Sequence, residues 1–177
     1  MARNEFKWEH IYRTQTSNFA DADQMLALFE QHTTPLRGHV VFWEVDGHSP
    51  DWFEAMTDNV TKEQIAWDWV NEVIPKYAGR IPNWDTFNEI VHGDDFVEMF
   101  GYDFWSRVIA RIRELDPATK LAFNDFKLLS DNKVDIRFLR TILSNLLINK
   151  THKLFRENVS PNTLKMKILT FMDYRVI

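Results

Sequence analysis

Three short segments of this chain gather groups able to do chemistry. Arg37-Gly-His39 with Trp43 offers an imidazole and an indole. Trp84-Asp85 with Asn88-Glu89 offers two carboxylates, a carboxamide and a second indole. Asn124-Asp125 adds another amide–acid pair. Carboxylates serve as general acids, bases and nucleophiles. Indole rings stack on the C–H faces of sugars and exclude water. This set suits carbohydrate chemistry better than phosphoryl or hydride transfer, and the chain has neither a G-x-G-x-x-G fingerprint nor a Walker lysine. The six His are scattered without metal-ligand spacing, so neither a metal nor a cofactor is expected.

Each segment falls where a strand should end. Pro35 to Trp43 is a short apolar run bounded by Pro and Gly, which predicts a buried strand. Arg80–Ile90 and Lys120–Phe126 predict two more. Helical patterns lie between them. Asp21–Gln31 predicts a helix with Met25, Leu26, Leu28 and Phe29 on or near its buried side. Thr61 with Gln64 forms a candidate capping box, followed by Ile65, Trp69, Val73, Ile74 and Tyr77 at helical spacing, with Gly79 as terminator. Phe104, Val108, Ile109, Ile112 and Leu115 form another apolar face, closed by Asp116-Pro117. Strand–helix alternation with near-continuous apolar strands predicts a parallel α/β sheet. In such sheets ligands bind at the C-terminal strand ends.

The 177 residues allow one domain with a real core. No apolar run is long enough to span a membrane, and Met1 to Trp8 lacks a signal-peptide core. Zero cysteines exclude disulfides and thiolate metal sites. A net charge of −5 argues against a nucleic-acid partner. Charge divides the chain: residues 1–136 carry 13 Lys+Arg against 24 Asp+Glu, and residues 137–177 carry 8 against 2. The second segment therefore reads as a basic tail, with Leu139, Ile142, Leu143, Leu146 and Leu147 on one amphipathic helix. Asn59, Asn149 and Asn158 each begin an N-x-S/T sequon, which matters only for a secreted chain.

The chain resembles glycoside hydrolase family 10, the endo-1,4-β-xylanases. Four segments match in order: Asn4-Glu-Phe-Lys-Trp8; Arg37-Gly-His-Val-Val-Phe-Trp43 with Pro50-Asp-Trp-Phe53; Tyr77-Ala-Gly-Arg-Ile81 with Trp84-Asp-Thr-Phe-Asn-Glu89; and Asp116-Pro with Leu121-Ala-Phe-Asn-Asp-Phe126. The wording around Phe42-Trp43 and Val91-His92-Gly93 is nearest to invertebrate members. The resemblance implies a (β/α)8 barrel, seen here in part. It covers about residues 4–131, with the third to fifth strands clear and part of the second unit present. The first strand and the sixth to eighth find no match.

The resemblance assigns roles residue by residue. Glu89 matches the acid/base. Asn88 matches the residue that hydrogen-bonds the sugar 2-hydroxyl. His39 and Trp43 match positions lining the cleaved sugar's subsite, and Asn4 and Lys7 match positions further along the glycone side. Trp84, Asp85 and Asn124 are expected as supporting groups, with Asp125 structural or cleft-lining. Trp67, Trp69 and Trp105 sit at helical positions and are expected in the core. Trp67-Asp-Trp-Val-Asn-Glu72 also fits the acid/base motif, but it lies inside a helical pattern, so Glu72 is expected as a solvated helix residue. Phe126 stands where the family usually has Tyr, and Glu44 where many members have a polar residue such as His.

A retaining glycosidase needs a second carboxylate as nucleophile. The family's Thr-Glu segment finds no match, and Glu157 and Asp173, the only acids after Asp135, lack its context. The first expectation is thus a xylan-degrading endo-xylanase domain in part, weakly active or inactive alone. A second is a β-1,4-glycan-binding remnant, and a third is a cellulase-type retaining barrel. Members of the family are usually secreted.

Overall fold

The computed structural model describes residues 4–90 and 92–125. Contacts divide the chain into two compact units, Met1–Lys127 and Leu128–Ile177; the account below concerns the first. The basic tail, its helix, Phe126, Glu157 and Asp173 and the sequons at Asn149 and Asn158 lie outside the described residues.

Among the described residues nine elements follow in order: α1 Trp8–Ile11, α2 Ala20–Gln31, β1 Arg37–Trp43, α3 Asp51–Glu54, α4 Asn59–Tyr77, β2 Asn83–Asn88, α5 Asp95–Phe100, α6 Asp103–Leu115 and β3 Lys120–Asn124. The strands form one parallel sheet in the order β1-β2-β3. Each crossover carries helix, as parallel pairing requires. The three predicted strands are present, each shorter than its apolar run, because pairing ends where the loops turn away.

The register sets up the site. His39 pairs with Asp85, and Trp43 pairs with Asn88. Asn88 in turn pairs with Asn124. One row at the C-terminal strand ends therefore runs Trp43, Asn88, Asn124, with neighbouring strands about 4.8 Å apart.

The core explains the aromatic content. Phe6, Trp8, Phe42, Phe53, Trp69, Tyr77, Trp84, Phe87, Phe96 and Phe104 are all buried. Trp69 on α4 donates its indole N–H to the Val41 carbonyl at 2.9 Å, tying helix to strand. Gly38 faces Trp84 so closely that a Cβ there would overlap the indole.

Local details differ from the sequence expectation. The α4 cap is Asp58, whose carboxylate accepts from the N–H groups of Val60 and Thr61, both at 3.2 Å. Thr61 lies inside the helix, because the aspartate two residues before Val60 reaches the free N–H groups first. On α2 only Ala22 and Leu26 are buried, and Leu28 is 50% exposed. The helix meets the body along a narrower stripe than its apolar content suggests. Trp69 and Trp105 are core, whereas Trp67 is half-buried beside Phe104 and the Arg107 guanidinium. No described helix is long and apolar enough to cross a membrane.

Candidate active site

Glu89 follows the last residue of β2 and has φ of 60°. Left-handed backbone is costly for a residue with a Cβ, and such strain concentrates at functional sites. The conformation is held from both sides. The Glu89 N–H donates to the Asn124 carbonyl at 2.7 Å, and the Glu89 carbonyl accepts from His92 N at 3.0 Å and Gly93 N at 2.9 Å. The chain thus leaves the sheet in a turn that leaves the Glu89 side chain half-buried at the strand ends. Nδ1 of His92 lies 2.6 Å from Oδ1 of Asp125, beside this turn.

Asn88 is almost fully buried. Oriented to satisfy its neighbours, its carboxamide oxygen accepts from Trp43 Nε1 at 3.1 Å and its nitrogen donates to the Asn124 carbonyl at 3.1 Å. The Asn124 carboxamide is 2.6 Å from it.

Asp85 is fully buried and serves two partners. Arg37 reaches Oδ1 through both Nε, at 2.9 Å, and its terminal nitrogen. Nδ1 of His39 lies 3.0 Å from Oδ2. A carboxylate there accepts the Nδ1–H proton, which fixes the imidazole tautomer and leaves Nε2 as the ring's other hydrogen-bonding atom.

Trp43 is the centre of a cluster formed with His39, His48 and Lys7. The His39 ring meets it edge-on, with centroids 5.6 Å apart. The His48 ring stacks on it at 3.9 Å and 11°. The Lys7 ammonium lies 4.7 Å from the indole centroid, and Glu9 holds that ammonium at 3.3 Å. The His48 loop is anchored by Glu54, which accepts from Gly47 N and Ser49 N, both at 3.0 Å.

Glu44, the next residue, is fully buried. Its carboxylate oxygens accept from Trp105 Nε1 at 2.6 Å and Phe96 N at 3.2 Å. Burial pushes the Glu44 carboxyl up to about 8; the two N–H donors pull the other way, and Asp95 and Asp94 add to the rise. Burial together with Asp46, Glu54, Asp94 and Glu98 likewise pushes Asp95 up to about 6. Among the described residues no group of three or more His, Asp or Glu is placed to hold a metal ion.

A buried Asn, a left-handed Glu and an indole meet at the ends of adjacent parallel strands. The sequence pattern of Glycosyl hydrolase family 10 matches residues 1–151. The chain belongs to this family. Endo-1,4-beta-xylanase 4 of Arabidopsis thaliana is 31% identical over 134 residues, covering 73% of this chain and 23% of its own length. Endo-1,4-beta-xylanase 3 of Hypocrea jecorina is 29% identical over 148 residues, covering 80% of this chain and 42% of its own length. The crystal structure of xylanase 10B from Thermotoga petrophila, in complex with xylobiose, superposes with a TM-score of 0.73 at 20% identity, covering 82% of this chain and 46% of that one. The chain thus spans less than half the length of these relatives, and its sheet is part of a family 10 (β/α)8 barrel.

Against the family motifs, the structure brings together His39, Trp43, Asp85, Asn88, Glu89, Asn124 and Lys7. Asn4 is exposed, and its carbonyl accepts from Lys7 N at 2.9 Å. Trp84 lies in the core against Phe6 and Tyr77, behind Gly38. Glu72 is on α4 as expected, but it is half-buried and takes hydrogen bonds from Ser17 at 2.7 Å and from the Tyr12 hydroxyl. It anchors the segment after α1, which the helical pattern alone did not reveal. Sequence reasoning also missed His48. Its only signal was a second imidazole in the loop between Trp43 and Pro50.

Proposed function

We propose that this chain carries the acid/base half of a retaining endo-1,4-β-xylanase site. Glu89 protonates the oxygen of the departing sugar and later takes a proton from water. Asn88 hydrogen-bonds the 2-hydroxyl of the cleaved sugar, a contact that strengthens in the oxocarbenium-like transition state. His39 and Trp43 wall the subsite of that sugar, and Lys7 extends it, with Asn4 further out along the glycone side. Asp85 orients His39, and Asn124 supports Asn88 and the Glu89 backbone. The substrate is a β-1,4-linked xylan or xylo-oligosaccharide.

The observation carrying this reading is the placement of Glu89: a left-handed carboxylate at a strand end, next to an Asn whose amide is bound to the Trp43 indole. The retaining mechanism places its nucleophile about 5–5.5 Å from the acid/base. Asp85 does not suit that role, because Arg37 and His39 occupy both its oxygens. We therefore infer that the 177-residue chain alone binds xylo-oligosaccharides but hydrolyses xylan weakly or not at all.

Two assays on the full chain test this. Calorimetric titration with xylohexaose should give binding that weakens in Asn88→Ala. Reducing-sugar release from xylan should be near background. Turnover abolished by Glu89→Gln would show that this chain supplies its own nucleophile. Equal binding of cello- and xylo-oligosaccharides would favour the cellulase-type reading.

A further inference from the structure

The turn that carries Glu89 is tied to the sheet on both sides. Toward β1, Gly93 lies against the Glu44 carbonyl, which also accepts from Asp95 N at 3.2 Å. Toward β3 the backbone supplies one bond among the described residues, from the Glu89 N–H to the Asn124 carbonyl at 2.7 Å. The bonds from His92 N and Gly93 N to the Glu89 carbonyl lie within the turn, so they shape it without fixing it to the sheet. A body held to a strand by one hydrogen bond can pivot about it. The His92 side chain supplies a second tie on this side: its Nδ1 lies 2.6 Å from Oδ1 of Asp125, the residue after Asn124. Chain and hydrogen bonds then close a ring that runs from Glu89 to Asn124, Asp125, His92 and back to the Glu89 carbonyl.

We propose that His92 is a positioning residue: its imidazole, hydrogen-bonded to Asp125, stops the Glu89 turn from pivoting about the Asn124 carbonyl and so keeps the Glu89 carboxyl at the strand ends.

The chemistry of the pair fits this task. The Asp125 side chain is 2% exposed, so water competes little for its oxygens. A hydrogen bond to a carboxylate is stronger than one between neutral groups. An ionised carboxylate only accepts, so the bond requires the proton on Nδ1 of the ring. Glu89 needs such a hold, because its φ of 60° is costly and a turn free to pivot would relax toward ordinary backbone. His92 itself is exposed, so its loss should be felt in the turn and not in the core.

The clamp is a property of the fold. What it serves rests on the role proposed above for Glu89, and the tests separate the two. Ring nitrogen-15 shifts of neutral His92 in the full chain, assigned with His92→Asn, should show the proton on Nδ1; a proton on Nε2 overturns the proposal. Amide hydrogen exchange at the Glu89 N–H should be about tenfold faster in His92→Ala, the factor that one net hydrogen bond is worth. His92→Asn, whose amide N–H can stand in for Nδ1–H, should recover most of the protection. The Trp69 indole N–H, bound to the Val41 carbonyl in the core, should exchange as in the wild type. Unchanged exchange at Glu89 overturns the proposal, and so does equal acceleration at Trp69, which would mean general destabilisation. If His92→Ala does not fold, the wild-type tautomer decides.

Glutamate labelled with carbon-13 at the side-chain carboxyl, assigned with Glu89→Gln, reports on the acid itself. Saturating xylohexaose should shift the Glu89 signal in the wild type, less in His92→Ala, and again fully in His92→Asn. Equal shifts in the wild type and His92→Ala overturn the positioning role. A wild-type signal that xylohexaose leaves unmoved sinks the functional reading of Glu89, and the tautomer and exchange measurements still decide the clamp.

Discussion

Nδ1 of His39 lies 3.0 Å from Oδ2 of Asp85, and the two residues are register partners on adjacent parallel strands. The sheet therefore places an imidazole and its orienting acid side by side, with Arg37 balancing the charge from the strand start. Both are buried, so the pair answers to the fold as well as to any substrate.

Asp85→Ala should cost about 3 kcal/mol of unfolding free energy, because removing one partner of a buried pair leaves the other uncompensated. Urea unfolding of the full chain measures this. Asp85→Asn should recover part of the loss, since its amide oxygen still accepts from His39. Equal stability of wild type and the Ala variant would show that solvent already satisfies His39 and Arg37.

Glu89→Gly should raise stability, because glycine accepts the left-handed backbone that Glu89 holds at φ of 60°. The gain expected is about 1 kcal/mol, less whatever the added freedom of the unfolded chain removes. Thermal unfolding reads it directly. The same change removes the proposed acid/base group, so a more stable protein should show no turnover under any assay. A loss of stability would mean that the Glu89 side chain contributes more to the fold than the backbone strain costs.

Gly93→Ala should destabilise by about 1–3 kcal/mol, the usual range for overpacking, because its methyl would overlap the Glu44 carbonyl. Gly47 faces open space, so Gly47→Ala should suffer only the strain of its φ of 81°. Denaturation midpoints of the two variants compare the effects. A smaller loss at Gly93 than at Gly47 would show that the loop between β2 and α5 gives way freely.

The pH dependence of stability follows from Glu44 and Asp95, whose folded-state values are raised to about 8 and about 6. Both bind their proton more tightly folded than unfolded. Their contribution is full below the ordinary carboxylate range and is lost as pH rises through about 6 and then about 8. The urea midpoint should therefore decline across that window, and Glu44→Gln should flatten its upper part. A midpoint that rises steadily with pH across the same window would contradict this.

Much of the fold was legible in the sequence, because hydrophobic period and turn residues are local. Three apolar runs bounded by Pro, Gly and Asn became β1, β2 and β3, and the helical faces before and between them became α2, α4 and α6. The placement of Glu72 on a helix and of Glu89 at a strand end also followed from local context, since Glu72 sits within the α4 pattern. Boundaries were less legible. The cap at Asp58 and the half-exposed Leu28 depend on which N–H is left free and on how α2 meets its neighbours.

The sequence alone determined the family and the strand end at which the Trp84-Asp-Thr-Phe-Asn-Glu89 segment falls. Only the tertiary structure decided how those groups are held. Asp85 reaches Arg37 across 48 residues, and Glu44 reaches Trp105 across 61. Pairing over such distances depends on strand register and helix docking, which no local pattern encodes. The same holds for the left-handed backbone at Glu89. Its residue type argues against that conformation, and the hydrogen bonds to the Asn124 carbonyl and from His92 and Gly93 N–H impose it.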